Sequence, residues 1–326
     1  MSCLYSELYN GFEIPTVFYG THRVFDELVA CMDAAFETGY RGIDTASLYH
    51  NERRIGEAIK LLLPKYSLER RNIFVSTKLP PKSYGTSAAM SAFESSLKAL
   101  NLNYLDLYLV HWPGIQGLRM KHKMRDIRGY MTELRRQSWR VLESLVISDR
   151  ETAIALESDA VPSETLVTGS GSYRRVRSIG VCNYLPRHLE ELAQYATITP
   201  TVVQFEYHPY IGEASNENLL RRTCTRLFPM SPVHFQSHSP LAGGDQELLT
   251  NAVVTKISGD LMKTTAQLVI RWNLQKGNSV VVSSAKPRHV QENFRVFGWS
   301  LSSEQMDAID RTGKGKRYCW DPNSVL

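Results

Sequence analysis

The sequence predicts an α/β fold, a closed (β/α)8 TIM barrel with an N-terminal β-hairpin plug, and three observations predict it. Short β-rich runs alternate with amphipathic helical stretches eight times, which implies a parallel sheet. Eight such units in about 300 residues suit one closed barrel better than an open doubly wound sheet. No G-x-G-x-x-G follows a strand, which disfavours a Rossmann-type fold. Gly169-Ser170-Gly171 is a decoy, because Arg174 stands where the third glycine should be and no strand precedes it. The 326 residues are expected to form a single domain.

The elements follow in order. Asn10-Gly11 is a two-residue turn signal between SELY and FEIP, so the chain should open with a hairpin. Ile14–Gly20 reads as the first barrel strand. In the helix around Asp26–Thr38, Leu28, Met32, Ala35 and Phe36 recur at helical spacing and Gly39 supplies the stop. Gly42–Asp44 is a very short strand, and Asn51–Leu63 a helix that Pro64 should end. Strands are expected at Ile73–Lys78, Leu105–His111, Arg177–Asn183, Val202–Tyr207, His234–His238 and Ser279–Ser284. Helices are expected at Thr86–Leu100, Thr132–Val146, Pro186–Ala196, Asn216–Leu227, Gln246–Ser258, Thr264–Lys276, Arg288–Phe297 and Ser302–Thr312.

Two segments break this rhythm. Residues 114–130 form a long connection after the fourth barrel strand, and so belong to the C-terminal face, where such barrels do their chemistry. Residues 148–173 are polar, rich in Ser, Thr and Ala, and without helical or strand period. They run from helix to strand, so they are expected to be a disordered insertion on the opposite face.

Composition excludes several classes. At 43% hydrophobic and 22% charged residues, the chain reads as a folded, soluble protein. It has no apolar run long enough to span a membrane and no signal peptide. The five cysteines are scattered, with no C-x-x-C, which suits a reducing, cytoplasmic compartment. The net charge of +5 is local: eight cations and two carboxylates between Arg119 and Arg140 leave that segment at +6. It lacks interleaved stacking aromatics beyond Tyr130 and Trp139, so a solvated helix face is the better reading than nucleic-acid binding.

Polar residues stand at the C-terminal ends of the strands: Asp44, Lys78, His111, Asn183, Gln204 and His238, with Tyr49 in the loop after Asp44. Any one alone would be a structural ion pair more often than a catalytic group. Together their chemistry is complementary. A tyrosine, with a reference pKa of about 10, is a poor acid at neutral pH. A nearby ammonium favours its phenolate and lowers that value, and a carboxylate keeps the ammonium charged. A histidine beside them can hydrogen-bond a substrate carbonyl. Asp44, Lys78, Tyr49 and His111 supply these four parts. The histidines lack metal-ligand spacing, so no metal is expected.

The segment GYRGIDTASLYHNERRIG, Gly39 to Gly56, resembles the signature of the aldo-keto reductase family. So do STKL around Lys78, LDLYLVHWP ending at Pro113, SIGVCN around Asn183, VQFEYHP around Gln204 and ENF at Glu292–Phe294. The likeness covers nearly the whole chain apart from the two odd loops. It implies reduction of an aldehyde or ketone, with hydride from a nicotinamide and the proton from Tyr49, tuned by Lys78 and Asp44. His111 would orient the carbonyl, and His22 and Trp112 would line the substrate pocket. Asn183 and Gln204 would hold the nicotinamide carboxamide. His238, Ser239 and Leu241 form the turn beside it, Asp245 would help close a loop over the pyrophosphate, and Glu292 and Asn293 would contact the adenine. Ser284, Lys286 and Arg288 would lie near the 2′-phosphate. NADP(H) is the cofactor expected, NAD(H) the alternative. A small-molecule carbonyl is the only partner expected; the protein should be a monomer with no nucleic-acid or membrane partner.

Several positions depart from that pattern. The turn after the seventh strand usually begins with a tyrosine that stacks on the nicotinamide, and here it reads His238-Ser239-Pro240-Leu241. Cys182 replaces a serine, and Phe18 replaces a glycine, in the latter case as simple barrel packing. Ser283 and His289 stand where a lysine and an arginine usually grip the 2′-phosphate, with Lys286 and Arg288 nearby. The tail residues Tyr318, Cys319 and Trp320 either fold over the barrel mouth or pack outside it. A second reading is a dinucleotide-sensing regulatory subunit with little turnover. A basic scaffold using the 119–140 patch is a minor third.

Overall fold

The computed structural model describes residues 4–114, 126–146 and 175–325. Most of the 114–130 connection and all of 148–173 lie outside the described residues.

Eight parallel strands close a barrel: β3 (Val17–Gly20), β4 (Gly42–Asp44), β5 (Phe74–Leu79), β6 (Leu105–Val110), β7 (Val176–Cys182), β8 (Val202–Glu206), β9 (His234–His238) and β10 (Ser279–Ser283). They are hydrogen-bonded in chain order, and β10 pairs with β3 to shut the ring. Helices cover the outside, among them α1 (Leu28–Thr38), α2 (Glu52–Lys65), α3 (Thr86–Leu100) and α4 (Ile127–Ser144). The hairpin β1 (Tyr5–Glu7) and β2 (Glu13–Pro15) is antiparallel. Its turn is longer than expected. Leu8 N donates to Phe12 O and Gly11 N to Leu8 O, so three residues, Tyr9 to Gly11, form the loop. Gly11, at φ 86°, takes the left-handed position that closes such turns.

The alternation of strand side chains divides two cores. Outward residues such as Val17, Tyr19, Val75 and Val181 pack beneath the helices. Inside the barrel, Phe18, Phe74, Leu107, Leu109, Val202 and Val281 pack with Leu8 and Ile14 from the hairpin. The hairpin is therefore an apolar stopper in the N-terminal end, and Asn10 Nδ2 ties it to Arg177 O at 3.0 Å. Phe18 is fully buried and meets Phe74 edge-on at 5.4 Å. Its ring fills the space a side chain at Gly42 would need, since a Cβ there would come within 2.6 Å of it.

Local chemistry explains the helix ends. Gly39, at φ 112°, closes α1 by donating to Ala35 O and Phe36 O. Pro64 does not end α2. The helix runs on to Lys65, because near the last turn a missing N–H loses only one bond. Helix α4 begins at Ile127, four residues inside the expected loop and five before the expected helix, because Asp126 caps it by accepting Gly129 N at 2.8 Å. No helix among the described residues is long and apolar enough to cross a membrane.

The floor of the barrel rests on Phe18. Phe18→Ala should destabilise the protein by about 3–5 kcal/mol, from lost burial and the cavity left against Phe74. Chemical denaturation would measure it, and a change below about 1 kcal/mol would show that the hairpin collapses into the gap.

Candidate active site

Above the apolar floor the barrel interior turns polar. Lys78 Nζ, from β5, donates to Asp44 Oδ1 at 2.5 Å and to Thr45 O at 2.9 Å. Asp44, at the end of β4, also accepts from Ser76 Oγ at 2.7 Å and Gln204 Nε2 at 3.0 Å. All four side chains are essentially buried. Burial works against the ammonium, but Asp44 and Tyr49 hold its pKa above the usual lysine value.

Tyr49 lies on a short 3-10 turn after β4, with its ring centroid 5.4 Å from Lys78 Nζ. The His22 ring is 4.8 Å away on one side and the His111 ring 5.9 Å on another. Sequence reasoning expects a lowered tyrosine pKa. Burial instead pushes the phenol up to about 12, and Lys78 pulls it down against that without prevailing. Burial also holds His111 well below the ordinary histidine value, helped by Lys78, His238 and His22, so its imidazole is neutral at pH 7. Its Nδ1 is buried without a partner.

Two primary amides stand beside this group. Asn183 follows β7, and Gln204 lies within β8, two residues before its end rather than at it. Cys182 links them: its thiol donates to Gln204 Oε1 at 3.1 Å and accepts from Asn183 Nδ2 at 3.2 Å. Asn183 Nδ2 also donates to His111 O at 3.1 Å. Gln204 Nε2 donates to Asp44 and Gln236, so all four amide N–H groups are used within the protein. What the two amides leave for a primary carboxamide is the spare lone pairs of Asn183 Oδ1 and Gln204 Oε1, which suit its NH2 group.

The remaining expected residues lie around the mouth. His238 ends β9, Ser239 follows it, and Leu241 opens a 3-10 turn leading to Asp245. Asp245 caps the next short helix and is engaged by the tail: Tyr318 OH donates to its carboxylate, as does Lys316 Nζ at 3.0 Å. These bonds, Tyr318 first, hold its carboxyl below the usual range. The tail folds over the mouth. The Trp320 ring lies 5.7 Å from that of Trp112, and Cys319 Sγ is 3.5 Å from Ser239 Oγ. After β10, Ser284 Oγ accepts from Lys286 N, and Lys286 and Arg288 are exposed at the start of the helix Pro287–Phe294. Glu292 is half-buried and Asn293 buried on that helix.

Sequence reasoning missed three contributors. Ser76 and Gln236 lie two residues before Lys78 and His238, so the strand period alone puts them on the same inner face. Gln236 Oε1 accepts from Gln204 Nε2 at 2.7 Å. The third is Glu206, at the true end of β8, which accepts Tyr318 N at 2.6 Å and Arg317 Nη1 at 3.1 Å and so anchors the tail.

A barrel with a buried Lys-Asp pair under a tyrosine and a histidine, beside paired amides, defines a reductase architecture, and the comparisons agree. The model of the Aldo/keto reductase family matches residues 17–148 and 173–314. Glyoxal reductase of Bacillus subtilis is 33% identical over 322 residues, covering 98% of this chain and 96% of that protein. The crystal structure of MGS-M4, an aldo-keto reductase from a Medee basin deep-sea metagenome library, superposes with a TM-score of 0.78 at 29% identity, covering 99% of each chain. A mutant of Gox0644 in complex with NADPH does so at 0.75 and 28%, covering 99% of this chain and 98% of that one. The chain belongs to the aldo/keto reductase family. It is an oxidoreductase, and its reaction is carbonyl reduction with a nicotinamide cofactor.

The buried imidazoles make stability pH-dependent. Burial holds His188, His234 and His238 down to about 4, and His111 well below its ordinary value. The unfolded chain binds these protons from about pH 6.5 downward while the folded one does not. With folded values depressed, the unfolded state binds more protons in that window, so stability should fall as pH drops from about 6.5 toward 4. Urea midpoints across that range measure this, and a midpoint unchanged from pH 7 to pH 4.5 would contradict neutral buried histidines.

Proposed function

We propose that the protein reduces an aldehyde or ketone with NADPH, Tyr49 giving the proton. The convergence of Tyr49, His111 and the buried Lys78–Asp44 pair carries this reading. The reduced nicotinamide supplies the hydride. The carbonyl oxygen would lie between the Tyr49 hydroxyl and the neutral His111 ring, which can donate an N–H without bringing a second positive charge beside Lys78. A phenol raised to about 12 is fully protonated at neutral pH and ready to donate. As its proton passes to the substrate oxygen, the phenolate left behind is stabilised by the Lys78 ammonium, which Asp44 holds in place. Asn183 and Gln204 would hold the carboxamide, His22 and Trp112 would line the pocket, and Asp245, Glu292 and Asn293 would hold the rest of the dinucleotide. The four described cysteines are free thiols, which supports a reducing, cytoplasmic setting.

Tyr49→Phe tests the acid. Turnover should fall by at least about 10²–10⁴-fold, while cofactor affinity, read by fluorescence quenching, stays within a few-fold. A variant that keeps most of its turnover would remove Tyr49 from this role.

Cofactor choice depends on the last strand. The NADPH-bound neighbour supports NADPH. A 2′-phosphate would meet the Ser283 hydroxyl and the His289 ring where a lysine and an arginine would bind it more strongly. Lys286 and Arg288 are exposed and make no ion pair among the described residues, so they are free to compensate in part. NADPH should therefore be preferred to NADH by only about tenfold, or 1.4 kcal/mol, and less at high salt. Ser283→Lys combined with His289→Arg should tighten NADPH and leave NADH nearly unchanged. Titrating both cofactors decides it; a wild-type preference of a thousandfold would mean that another cluster holds the phosphate.

A further inference from the structure

We infer that His238 is a positioning residue that sets the Asn183 amide for the nicotinamide carboxamide through a hydrogen bond, a role that rests on the proposed function of Asn183. The hydrogen-bond logic begins at a backbone atom. The carbonyl of His111 can only accept, and Asn183 Nδ2 lies 3.1 Å from it. A flipped amide would set two acceptors face to face, so the nitrogen must point that way and the oxygen the other. His238 Nε2 is 2.9 Å from Asn183 Oδ1, so that nitrogen must carry the proton. In the neutral ring Nδ1 is then an acceptor, and Ser239 Oγ, 3.2 Å away, donates to it. Each step fixes the next.

The backbone supports the same conclusion. Asn183 stands at φ 62°, a left-handed conformation that asparagine accommodates readily, and Ser239 at φ 52°, where a serine is uncommon and is here bonded to the His238 ring. Asn183 makes three bonds, to His111 O, Cys182 Sγ and His238 Nε2, which use both of its N–H donors and one oxygen lone pair. One lone pair of Oδ1 remains, suited to a single N–H of a carboxamide. A ring at position 238 that only stacked would leave Oδ1 without this partner. The imidazole thus supplies orientation, in place of the larger stacking area of a tyrosine.

The test uses the full-length protein and three variants: His238→Phe and His238→Tyr, which keep an aromatic ring without this donor, and His238→Gln, whose amide N–H reaches close to the former Nε2 position. Nitrogen NMR of the cofactor-free wild type should show His238 protonated at Nε2 and bare at Nδ1. NADPH affinity should weaken about tenfold in the Phe variant, the worth of one buried hydrogen bond, and recover to within about threefold in the Gln variant. With NADPH deuterated on one face of the ring, the wild type should transfer from a single face, and the Phe variant should leak label from the other. A Phe or Tyr variant with wild-type affinity and full facial fidelity would overturn the inference in favour of stacking. So would a Gln variant no better than Phe, or an Nδ1-protonated ring. A wild type that binds neither nicotinamide nucleotide would overturn the functional reading, and this role with it.

Discussion

Taking a lysine and an aspartate out of water together, 34 residues apart in sequence, is tolerable only when every charge-bearing atom finds a partner. In the barrel that demand organises the whole upper interior. Asp44 accepts from Lys78, Ser76 and Gln204, and Lys78 donates to Asp44 and Thr45 O. Gln204 in turn needs an acceptor for its second N–H and finds it in Gln236. Five strand positions are thus bound into one layer by a single ion pair. Loss of Lys78 or Asp44 would leave the other as an uncompensated buried charge. Below the layer the barrel is apolar and stoppered by the hairpin, so the pair has a dry floor. Tyr49 lies beside the pair, its ring centroid 5.4 Å from Lys78 Nζ.

The roof is built by the tail, and a second buried carboxylate holds it. Burial pushes the Glu206 pKa up, but His208 and the Tyr318 N–H more than offset this, so it remains ionised. It gathers Arg317, Tyr318 N, Cys319 N and His208. The consequence is geometric. With its backbone tied at 318 and 319, the tail must present Trp320 toward Trp112, and Lys316 and Tyr318 toward Asp245. One short segment therefore touches both Trp112, proposed to line the substrate pocket, and the loop proposed to cover the cofactor.

Much of this was legible in the sequence, for reasons that can be stated residue by residue. Gly42–Asp44 was visible as a strand although only three residues long, because the Gly39 stop of α1 precedes it and helix α2 follows. The polar strand ends could be read directly, whereas Ser76 and Gln236, which strand period two carries onto the same inner face as Lys78 and His238, were passed over because only the ends were followed. What failed depended on three-dimensional facts. The hairpin loop was misjudged because Leu8 and Phe12 pair across it, which Asn10-Gly11 alone does not reveal. The start of α4 was missed because Asp126 sits in a basic run that looks like loop. Lys78 acts on the Tyr49 pKa in the expected direction, but burial outweighs it, because a sequence names the charged neighbour and not the surroundings that desolvate the phenol. Glu206 was overlooked because the tail residues it anchors, Arg317 to Cys319, lie more than a hundred residues away.

The two departures nearest the nicotinamide site, Cys182 and His238, make sense together rather than singly. A thiol is a weaker donor than a hydroxyl, so Cys182 would hold a carboxamide less firmly than the usual serine. Burial keeps that thiol neutral, and it bonds to both amides, accepting from Asn183 and donating to Gln204. The pair therefore fixes the orientation of the protein's own amides where the common pattern spends the same positions on the ligand. Such preorganisation shifts the ordering cost from binding to folding. It also explains how a weaker set of direct contacts can still present one face of a flat ring to the substrate.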